Sequence, residues 1–174
     1  MEALERYVHD HSEPEEELLR QLDRETHRRT VAPRMLSGHI QGKLLKLLVR
    51  MHRPRRVLEI GAFTGYSALS MAAGLDAGAE LHTIEVDDEL EELAQSYFDR
   101  SPHGQKIRLH IGSALDIAPA LGGRFDLVFI DGDKREYPDY YRMLMGDGLT
   151  PPLVGSGSVL VADNILWSGK VVEP

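Results

Sequence analysis

Residues 57–67 have the sequence VLEIGAFTGYS, in which a short apolar run passes directly into a loop with two glycines. The run at 57–60 is rich in branched apolar residues, which predicts a buried strand. Gly61 and Gly65 let the backbone turn and approach a ligand closely, and the helix predicted to follow would point its first amides at that ligand. Glycines also occupy such turns for steric reasons alone, so this loop does not define a ligand by itself.

The same alternation continues downstream, where short apolar runs are separated by helical segments. Apolar strands that alternate with helices indicate a parallel sheet covered on both faces. The sequence therefore predicts a doubly wound, mostly parallel α/β core over residues 56–174. The predicted strands are 57–60, 81–85, 107–111, 125–130 and 159–162, and the predicted helices are 66–74, 88–99, 115–121 and 137–145.

Residues 1–52 differ in character and are predicted to form a helical N-terminal extension of the same single domain. Ser12 and Glu15 have the spacing of a capping box, which predicts a helix start, and leucines follow at 18, 19 and 22. A loop is predicted at 27–35. The extension either covers a pocket, builds a dimer contact or packs against the sheet edge. A second apolar stripe with helical spacing comprises Ile40, Leu44, Leu47, Leu48 and Met51.

The composition excludes several classes of protein. The 174 residues, 42% of them hydrophobic, fit one domain, and the absence of cysteine excludes disulfides, thiolate zinc sites, iron–sulfur clusters and a cysteine nucleophile. The net charge of −8 gives no general attraction for nucleic acid. No apolar run reaches the roughly 18 residues that a membrane span needs, and the N-terminus is acidic where a signal peptide is basic. We therefore expect a soluble, cytoplasmic protein.

Glu85 ends the second predicted strand, and doubly wound folds bind ligands at the carboxyl ends of their strands. An acidic residue about 20 positions beyond a glycine loop is suited to accept hydrogen bonds from both hydroxyls of a ribose. The loop lacks the three-glycine spacing of the dinucleotide fingerprint, which argues against a pyrophosphate cradle. Together, the loop and Glu85 indicate a cofactor that contains a nucleoside.

Polar side chains also follow the fourth and fifth predicted strands, namely Asp131, Asp163 and Asn164. If these strands are neighbours, about 4.8 Å apart, the three side chains converge, and clustered carboxylates repel one another without a counter-charge. Two carboxylates and an amide oxygen suit Mg²⁺, Mn²⁺ or Ca²⁺ better than zinc or copper. Alternatively, each aspartate caps only the turn after its own strand.

Lys134 follows Asp131 by three residues and is close enough to face the same site. A lysine that is partly desolvated near a metal can have its pKa lowered enough to act as a base. Alternatively, Lys134 pairs with Asp133 or is solvated. The eight histidines show no metal-binding spacing, so they offer no competing site.

Four motifs carry a family resemblance: VLEIGAFTGYS at 57–67, IE at 84–85, FIDGDK at 129–134 and ADNILW at 162–167. In this order they resemble the cation-dependent O-methyltransferases that use S-adenosylmethionine (SAM). That family includes catechol O-methyltransferase, the caffeoyl-CoA O-methyltransferases and many bacterial relatives. The resemblance extends from about Met35 to the end of the chain, and it implies a Rossmann-like methyltransferase fold.

The resemblance implies roles for the matching residues. Asp131, Asp163 and Asn164 would bind the metal, with Asp131 and Lys134 as catalytic residues and Lys134 as the base. Trp167 either shapes the acceptor pocket or simply packs. The implied cofactor-binding residues are Ser37, Glu59, Gly61, Phe63, Ser67, Glu85, Ala114 and Asp131, among which Ser37, Gly61, Phe63 and Ser67 would border the methionine moiety, Glu85 the ribose and Ala114 the adenine.

The implied reaction is methyl transfer to one hydroxyl of a vicinal pair on a small catechol or caffeoyl-type phenol, by a homodimer. Two alternatives stay open. Arginine clusters at 28, 29 and 34 and at 53, 55 and 56 allow methylation of a hydroxylated tRNA base, and the chain could instead be a catalytically silent cofactor-binding module. The resemblance implies a further helix and a final pair of strands beyond the match to Pro174, and we expect those strands to be missing here. Either a disordered or cleaved tail is omitted, or the chain is a fragment with an exposed sheet edge.

Overall fold

The computed structural model describes residues 2–146 and 148–172, except for the side chains of Glu2, Glu5 and Trp167. Within these residues, five parallel strands form one sheet in the order β3-β2-β1-β4-β5. The strands are β1 (Arg56–Ile60), β2 (Glu80–Glu85), β3 (Ile107–Ile111), β4 (Leu127–Ile130) and β5 (Val159–Ala162). The helices are α1 (Glu2–Asp10), α2 (Glu17–Arg29), α3 (Gly38–His52), α4 (Tyr66–Ala72), α5 (Glu91–Arg100), α6 (Ala114–Ala120) and α7 (Tyr137–Met145). None of these described helices is long and apolar enough to cross a membrane.

The strand order reverses between β1 and β4, which are hydrogen-bonded neighbours in the sheet. Ile60, the last residue of β1, lies beside Ile84 on one side and Ile130 on the other, and Ile130 lies beside Ala162. The segments that follow β1, β4 and β5 therefore leave the sheet at one level. In doubly wound folds the crevice at this reversal is the usual ligand site.

The strands are apolar on both faces because helices cover both faces. Val57 and Leu81 face one apolar core, which α2 to α5 complete, whereas Leu58 and Val128 face a second core beneath α6 and α7. Strands covered on two sides lack the alternation of a half-exposed sheet. This confirms the predicted doubly wound α/β fold.

The predicted core elements agree with the structure within a few residues. The largest difference among the strands is at β4, which begins at Leu127 and not at 125. The Phe125 amide donates to the carbonyl of Leu153 at 2.8 Å and not to the neighbouring strand. The backbone of Asp126 bonds to Arg56 and Val159, and its side chain accepts hydrogen bonds from the amides of Arg55 and Arg56.

The predicted capping box is wrong. The Ser12 hydroxyl donates to the carbonyl of Val8 at 2.6 Å, just after α1, and α2 begins at Glu17 without a side-chain cap. Glu15 accepts a hydrogen bond of 2.5 Å from Tyr66, which ties the segment before α2 to α4. The predicted loop at 27–35 is also shorter than expected, because α2 continues to Arg29.

The second predicted stripe lies on the outer face of α3. Leu44, Leu47 and Met51 are 54%, 52% and 73% exposed, whereas Leu45 is buried. Gly42 determines which face packs, because a Cβ at this position would lie 2.6 Å from the hydroxyl oxygen of Ser70 on α4. The stripe therefore packs against no core in the described part of the chain, and the homodimer stays a prediction.

Candidate cofactor and metal site

An open cavity of about 1360 Å³ lies at the carboxyl end of the sheet, where the strand order reverses. It brings together all but one of the residues predicted to form the site, and the exception is Glu59. The predicted residues that line the cavity are Ser37, Gly61, Phe63, Ser67, Glu85, Ala114, Asp131, Lys134, Asp163 and Asn164.

The loop after β1 has a backbone that few residues other than glycine adopt. Gly61 and Gly65 have φ angles of 96° and 92°, and Phe63 has a φ of 50° although it carries a side chain. A residue with a Cβ in this region costs roughly 1–2 kcal/mol. The Phe63 amide donates a hydrogen bond of 2.6 Å to Glu85 Oε2, which holds the loop in this conformation.

Glu85 is the central acceptor of this part of the cavity. Besides Phe63, the amides of Val86 and Asp87 donate to its Oε1 at 2.9 and 3.0 Å. A carboxylate has about four acceptor positions, so about one remains for a ligand. The buried carboxylate at the end of β2 is thus fixed in place by three backbone amides.

Glu59 lies behind the cavity wall and not on it. Its side chain is fully buried, Thr83 donates to Oε2 at 2.5 Å, and Oε1 has no hydrogen-bond partner among the described residues. Burial raises the pKa of Glu59 to about 8, because the Ser67 and Thr83 hydroxyls offset only part of the desolvation and the charges of Asp131 and Glu85 add to it. Glu59 is therefore a neutral acid at pH 7, buried behind the residues that line the cavity.

Lys134 forms its ion pair with Asp131. Its Nζ donates to Asp131 Oδ1 at 2.7 Å, to the Tyr137 hydroxyl oxygen at 3.0 Å and to the Gly132 carbonyl at 3.2 Å. Asp133 pairs with Arg135 instead, so the alternative partner considered from the sequence is wrong.

The pKa of Lys134 is controlled by its hydrogen-bond partners. Burial disfavours its ammonium, but the hydrogen bonds to Asp131 and Tyr137 more than offset this, and the pKa is raised above its usual value. Lys134 is therefore held as an ammonium beside Asp131, and the lowering of its pKa beside a bound metal stays a prediction.

Tyr137 is a site residue that sequence reasoning missed. Its hydroxyl lies 3.0 Å from the carbonyl oxygen of Ile130 and 2.9 Å from that of Asp163, so its single proton is shared between the ends of β4 and β5. The available signal was its position three residues after Lys134, at the start of a helix, which places both side chains on one face.

Asp163 and Asn164 complete the oxygen set. Asp163 Oδ1 accepts a hydrogen bond from the backbone amide of Asn164, and Oδ2 accepts one from Gln41 Nε2, both at 2.6 Å. Burial raises the pKa of Asp131, and the nearby charge of Asp163 raises it further, although Lys134 lowers it. Two partly buried carboxylates thus share one cavity with a single bonded lysine, and their repulsion favours an additional cation.

The donor set fits a hard divalent cation. Carboxylate and amide oxygens are the ligands of Mg²⁺, Mn²⁺ and Ca²⁺. The described residues contain no group of three His, Cys, Asp or Glu side chains able to hold a metal. A metal site here therefore depends on the side-chain amide oxygen of Asn164 as its third ligand. Asn164 adopts a left-handed φ of 53°, a conformation that asparagine tolerates better than most residues.

The end of the chain contributes apolar surface to the cavity. Ile165 and Leu166 line it and are 64% and 68% exposed. Trp167 begins a short helical segment, Trp167–Val172, but its side chain lies outside the described residues, so its role stays a prediction.

The arginine clusters carry less free charge than the sequence suggests. Arg29 pairs with Glu25 at 3.2 Å, and Arg53 pairs with Asp76 at 2.9 Å. Arg56 pairs with Glu80 and also donates to the Gly122 carbonyl. Each cluster is thus partly neutralised by neighbouring acids.

This combination of fold and site defines a class, the doubly wound proteins with a nucleoside-type cofactor site at the strand-order reversal. Within that class, a family model described as O-methyltransferase matches residues 9–174. The chain belongs to this O-methyltransferase family.

Curated relatives share about a third of their aligned residues with the chain. A catechol O-methyltransferase of Niastella koreensis is 36% identical over 137 residues, which are 76% of this chain and 59% of that protein. A catechol O-methyltransferase of Mycobacterium tuberculosis is 35% identical over 141 residues, or 80% and 61% of the two chains. Caffeoyl-CoA O-methyltransferase 1 of Eucalyptus globulus is 32% identical over 145 residues, or 80% and 56%. The chain thus spans about three fifths of the length of these relatives.

Solved structures share the fold closely. The O-methyltransferase TomG from Streptomyces achromogenes, in complex with SAM, superposes with a TM-score of 0.87 and 34% identity, covering 99% of this chain and 76% of that one. The methyltransferase PaMTH1 of Podospora anserina, bound to S-adenosylhomocysteine (SAH), superposes with a TM-score of 0.87 and 27% identity. The match covers 97% of this chain and 70% of that one. These similarities confirm the Rossmann-like methyltransferase fold.

Proposed function

We propose that the protein transfers a methyl group from SAM to one hydroxyl of a vicinal pair on a small catechol or caffeoyl-type phenol, with the help of Mg²⁺, Mn²⁺ or Ca²⁺. One observation carries this proposal. The glycine loop with Glu85 and the oxygen set of Asp131, Asp163 and Asn164 line the same cavity. Relatives named catechol and caffeoyl-CoA O-methyltransferase, and neighbours solved with SAM or SAH, support the acceptor class and the donor.

The cofactor would be held by the segments after β1, β2 and β3. Glu85 offers its remaining acceptor position to a ribose hydroxyl, and Ala114, at the start of α6, lines the cavity where an adenine ring would pack. Gly61, Phe63 and Ser67 line the part of the cavity beside β1, together with Ser37. Because Glu85 and Phe63 are already hydrogen-bonded to each other, this part of the site is preorganised.

Asp131, Asp163 and Asn164 would hold the cation. When bound, a divalent cation would lower the pKa of the attacking hydroxyl and share the negative charge of Asp131, which otherwise keeps Lys134 protonated. Once its own proton has passed to solvent, the neutral Nζ of Lys134 would receive the hydroxyl proton, and Tyr137 and the Gly132 carbonyl would keep that nitrogen oriented. The hydroxyl oxygen forms a bond to the methyl carbon as the carbon–sulfur bond breaks, so alignment carries much of the catalysis.

An aromatic acceptor suits the open side of the cavity. Ile165 and Leu166 expose apolar side chains there, as does Met35, which is 56% exposed. Burying this surface against a ring is favourable by about 25 cal/mol per Å². It also excludes water from a reaction in which a negative oxygen and a positive sulfonium neutralise each other, and low polarity favours that step.

A chelation assay tests this function. The chain is incubated with methyl-labelled SAM, a panel of catechols and Mg²⁺, and the expected methylated product should disappear with chelator and return with excess Mg²⁺. Turnover that ignores the chelator would contradict the metal role. Tight SAM binding without turnover on any acceptor would instead favour the silent cofactor-binding module.

A substitution separates metal binding from cofactor binding. Asp163→Ala should abolish turnover while SAM affinity is retained, because Glu85 and the glycine loop are unchanged. Asp139→Ala is the matched control, since Asp139 lies exposed on α7 and pairs only with Arg142 in the described structure. It should leave both properties intact.

A further inference from the structure

Helix α3 of the N-terminal extension contacts the candidate metal site through one side chain. Gln41 Nε2 donates a hydrogen bond of 2.6 Å to Asp163 Oδ2, although the two residues are 122 positions apart in the chain. Gln41 is half-buried. No role for this residue follows from the motifs that identify the cofactor and metal positions.

The contact completes the fixation of Asp163. Oδ1 accepts from the Asn164 amide, Oδ2 accepts from Gln41, and the main-chain carbonyl accepts from Tyr137. Each carboxylate oxygen has about two acceptor positions. Each carboxylate oxygen is thus oriented by one hydrogen bond of its own, and each keeps one acceptor position for a cation.

The donor on Asp163 is neutral, whereas the donor on Asp131 is charged. Lys134 brings a positive charge to Asp131 and must share that carboxylate with any cation bound there. The Gln41 amide orients Asp163 without adding positive charge, so the full negative charge of Asp163 remains available to a metal. The two carboxylates are therefore held by different means.

The position of Gln41 is itself fixed by packing. Its neighbour Gly42 lies against α4, where a Cβ would be 2.6 Å from the Ser70 hydroxyl oxygen. At the other end of α3, His52 Nε2 forms a hydrogen bond of 2.9 Å with the Asp126 carbonyl, just before β4. Helix α3 is thus anchored at its far end to the amino end of β4, while Gln41 reaches the segment that follows the carboxyl end of β5.

We propose that Gln41 is a positioning residue for the metal site: its amide holds the Asp163 carboxylate in the orientation that binds the cation. This inference rests on the proposed metal-dependent function. Residues that orient metal ligands typically contribute 10- to 100-fold to metal affinity. The N-terminal extension is then part of the metal site and not only additional packing.

The test measures binding of Mn²⁺ alone by electron paramagnetic resonance. Gln41→Met removes the amide at similar volume, and Gln41→Asn keeps an amide but withdraws it by one methylene. The control is Gln95→Met, because Gln95 donates to Asp99 at 2.7 Å on the exposed face of α5. We expect both Gln41 variants to bind Mn²⁺ about 10- to 100-fold more weakly, and Gln95→Met to match wild type.

A second measurement separates positioning from general structural damage. SAH affinity, measured by calorimetry, should be unchanged in both Gln41 variants. Mn²⁺ affinities within twofold of wild type in both variants would overturn the inference, as would equal losses of Mn²⁺ and SAH affinity. A wild-type chain that binds no Mn²⁺ at millimolar concentration would contradict the metal-dependent function itself, and the inference with it.

Discussion

The backbone of Gly61 lies so close to that of Asp131 that a Cβ on Gly61 would be 2.5 Å from the Asp131 carbonyl oxygen. The Asp131 amide also donates to the carbonyl of Ile60 at 2.8 Å, directly before the glycine. The cofactor loop and the first proposed metal ligand are therefore in backbone contact. A change in the backbone at this contact should disturb both halves of the site, unlike a side-chain substitution elsewhere in either half.

Gly61→Ala tests this contact. The added Cβ would meet the Asp131 carbonyl, and the φ of 96° would be strained, so we expect more destabilisation than the roughly 1–2 kcal/mol of strain alone. SAH affinity should fall at least about tenfold, a loss of about 1.4 kcal/mol. Gly78→Ala is the control, because Gly78 has a φ of 78° but no atoms within 4 Å of its Cβ position. Urea unfolding and calorimetry compare the two, and normal SAH binding by Gly61→Ala would refute the coupling.

Glu85→Gln tests the cofactor half of the site. The substitution places an amide nitrogen among three backbone N–H donors and removes the charge that they stabilise. Hydrogen bonds to charged groups contribute about 1.5–3 kcal/mol, so SAH affinity should fall roughly 10- to 100-fold. Glu89→Gln, an exposed neighbour, should have no effect. An SAH affinity within threefold of wild type in Glu85→Gln would show that this carboxylate does not hold the nucleoside.

Glu59 should make stability depend on pH. Its pKa is raised to about 8 in the folded chain from 4.5, so between these values only the unfolded chain loses the proton. The stabilisation is therefore fully present below about pH 4.5 and is lost as the pH rises toward 8, on the order of 1 kcal/mol per pH unit. The side chain in Glu59→Gln is neutral at every pH, so the free energy of unfolding of this variant should lack this contribution to its dependence on pH. Urea unfolding from pH 5 to 8 checks the difference, and parallel curves would contradict it.

Lys134→Met tests the proposed base. Turnover should fall about 10²- to 10⁴-fold, the usual contribution of general acid–base catalysis, while SAH affinity is retained. Arg135→Met is the matched control, because the exposed Arg135 side chain pairs with Asp133 and does not itself line the cavity. Initial rates with saturating SAM and catechol provide the measurement. A Lys134→Met rate within tenfold of the control would assign the proton to another acceptor.

The place of the site was predictable because polar residues interrupt apolar strands at their ends. Asp131 and Asp163 each follow an apolar run, and parallel strands bring such positions to one edge of the sheet. The same logic placed Glu85 and the glycine loop together. Local pattern and topology rules were therefore enough for the cavity and most of its lining.

The contacts that tune the site required the tertiary structure. Gln41 reaches Asp163 from a helix 122 residues away, and no local pattern predicts that pair. The depth of Glu59 and the raised pKa of Lys134 depend on burial and on which neighbours lie within hydrogen-bonding distance. The packed face of α3 likewise contains Gly42 and not the more conspicuous apolar stripe, because only a residue without a Cβ fits against α4.

Anomalous diffraction from crystals grown with Mn²⁺ and SAH tests the metal site most directly. We expect one strong peak within roughly 2.3 Å of oxygens from Asp131, Asp163 and Asn164. SAH bound in the adjoining cavity, with no anomalous peak between these three side chains, would contradict it.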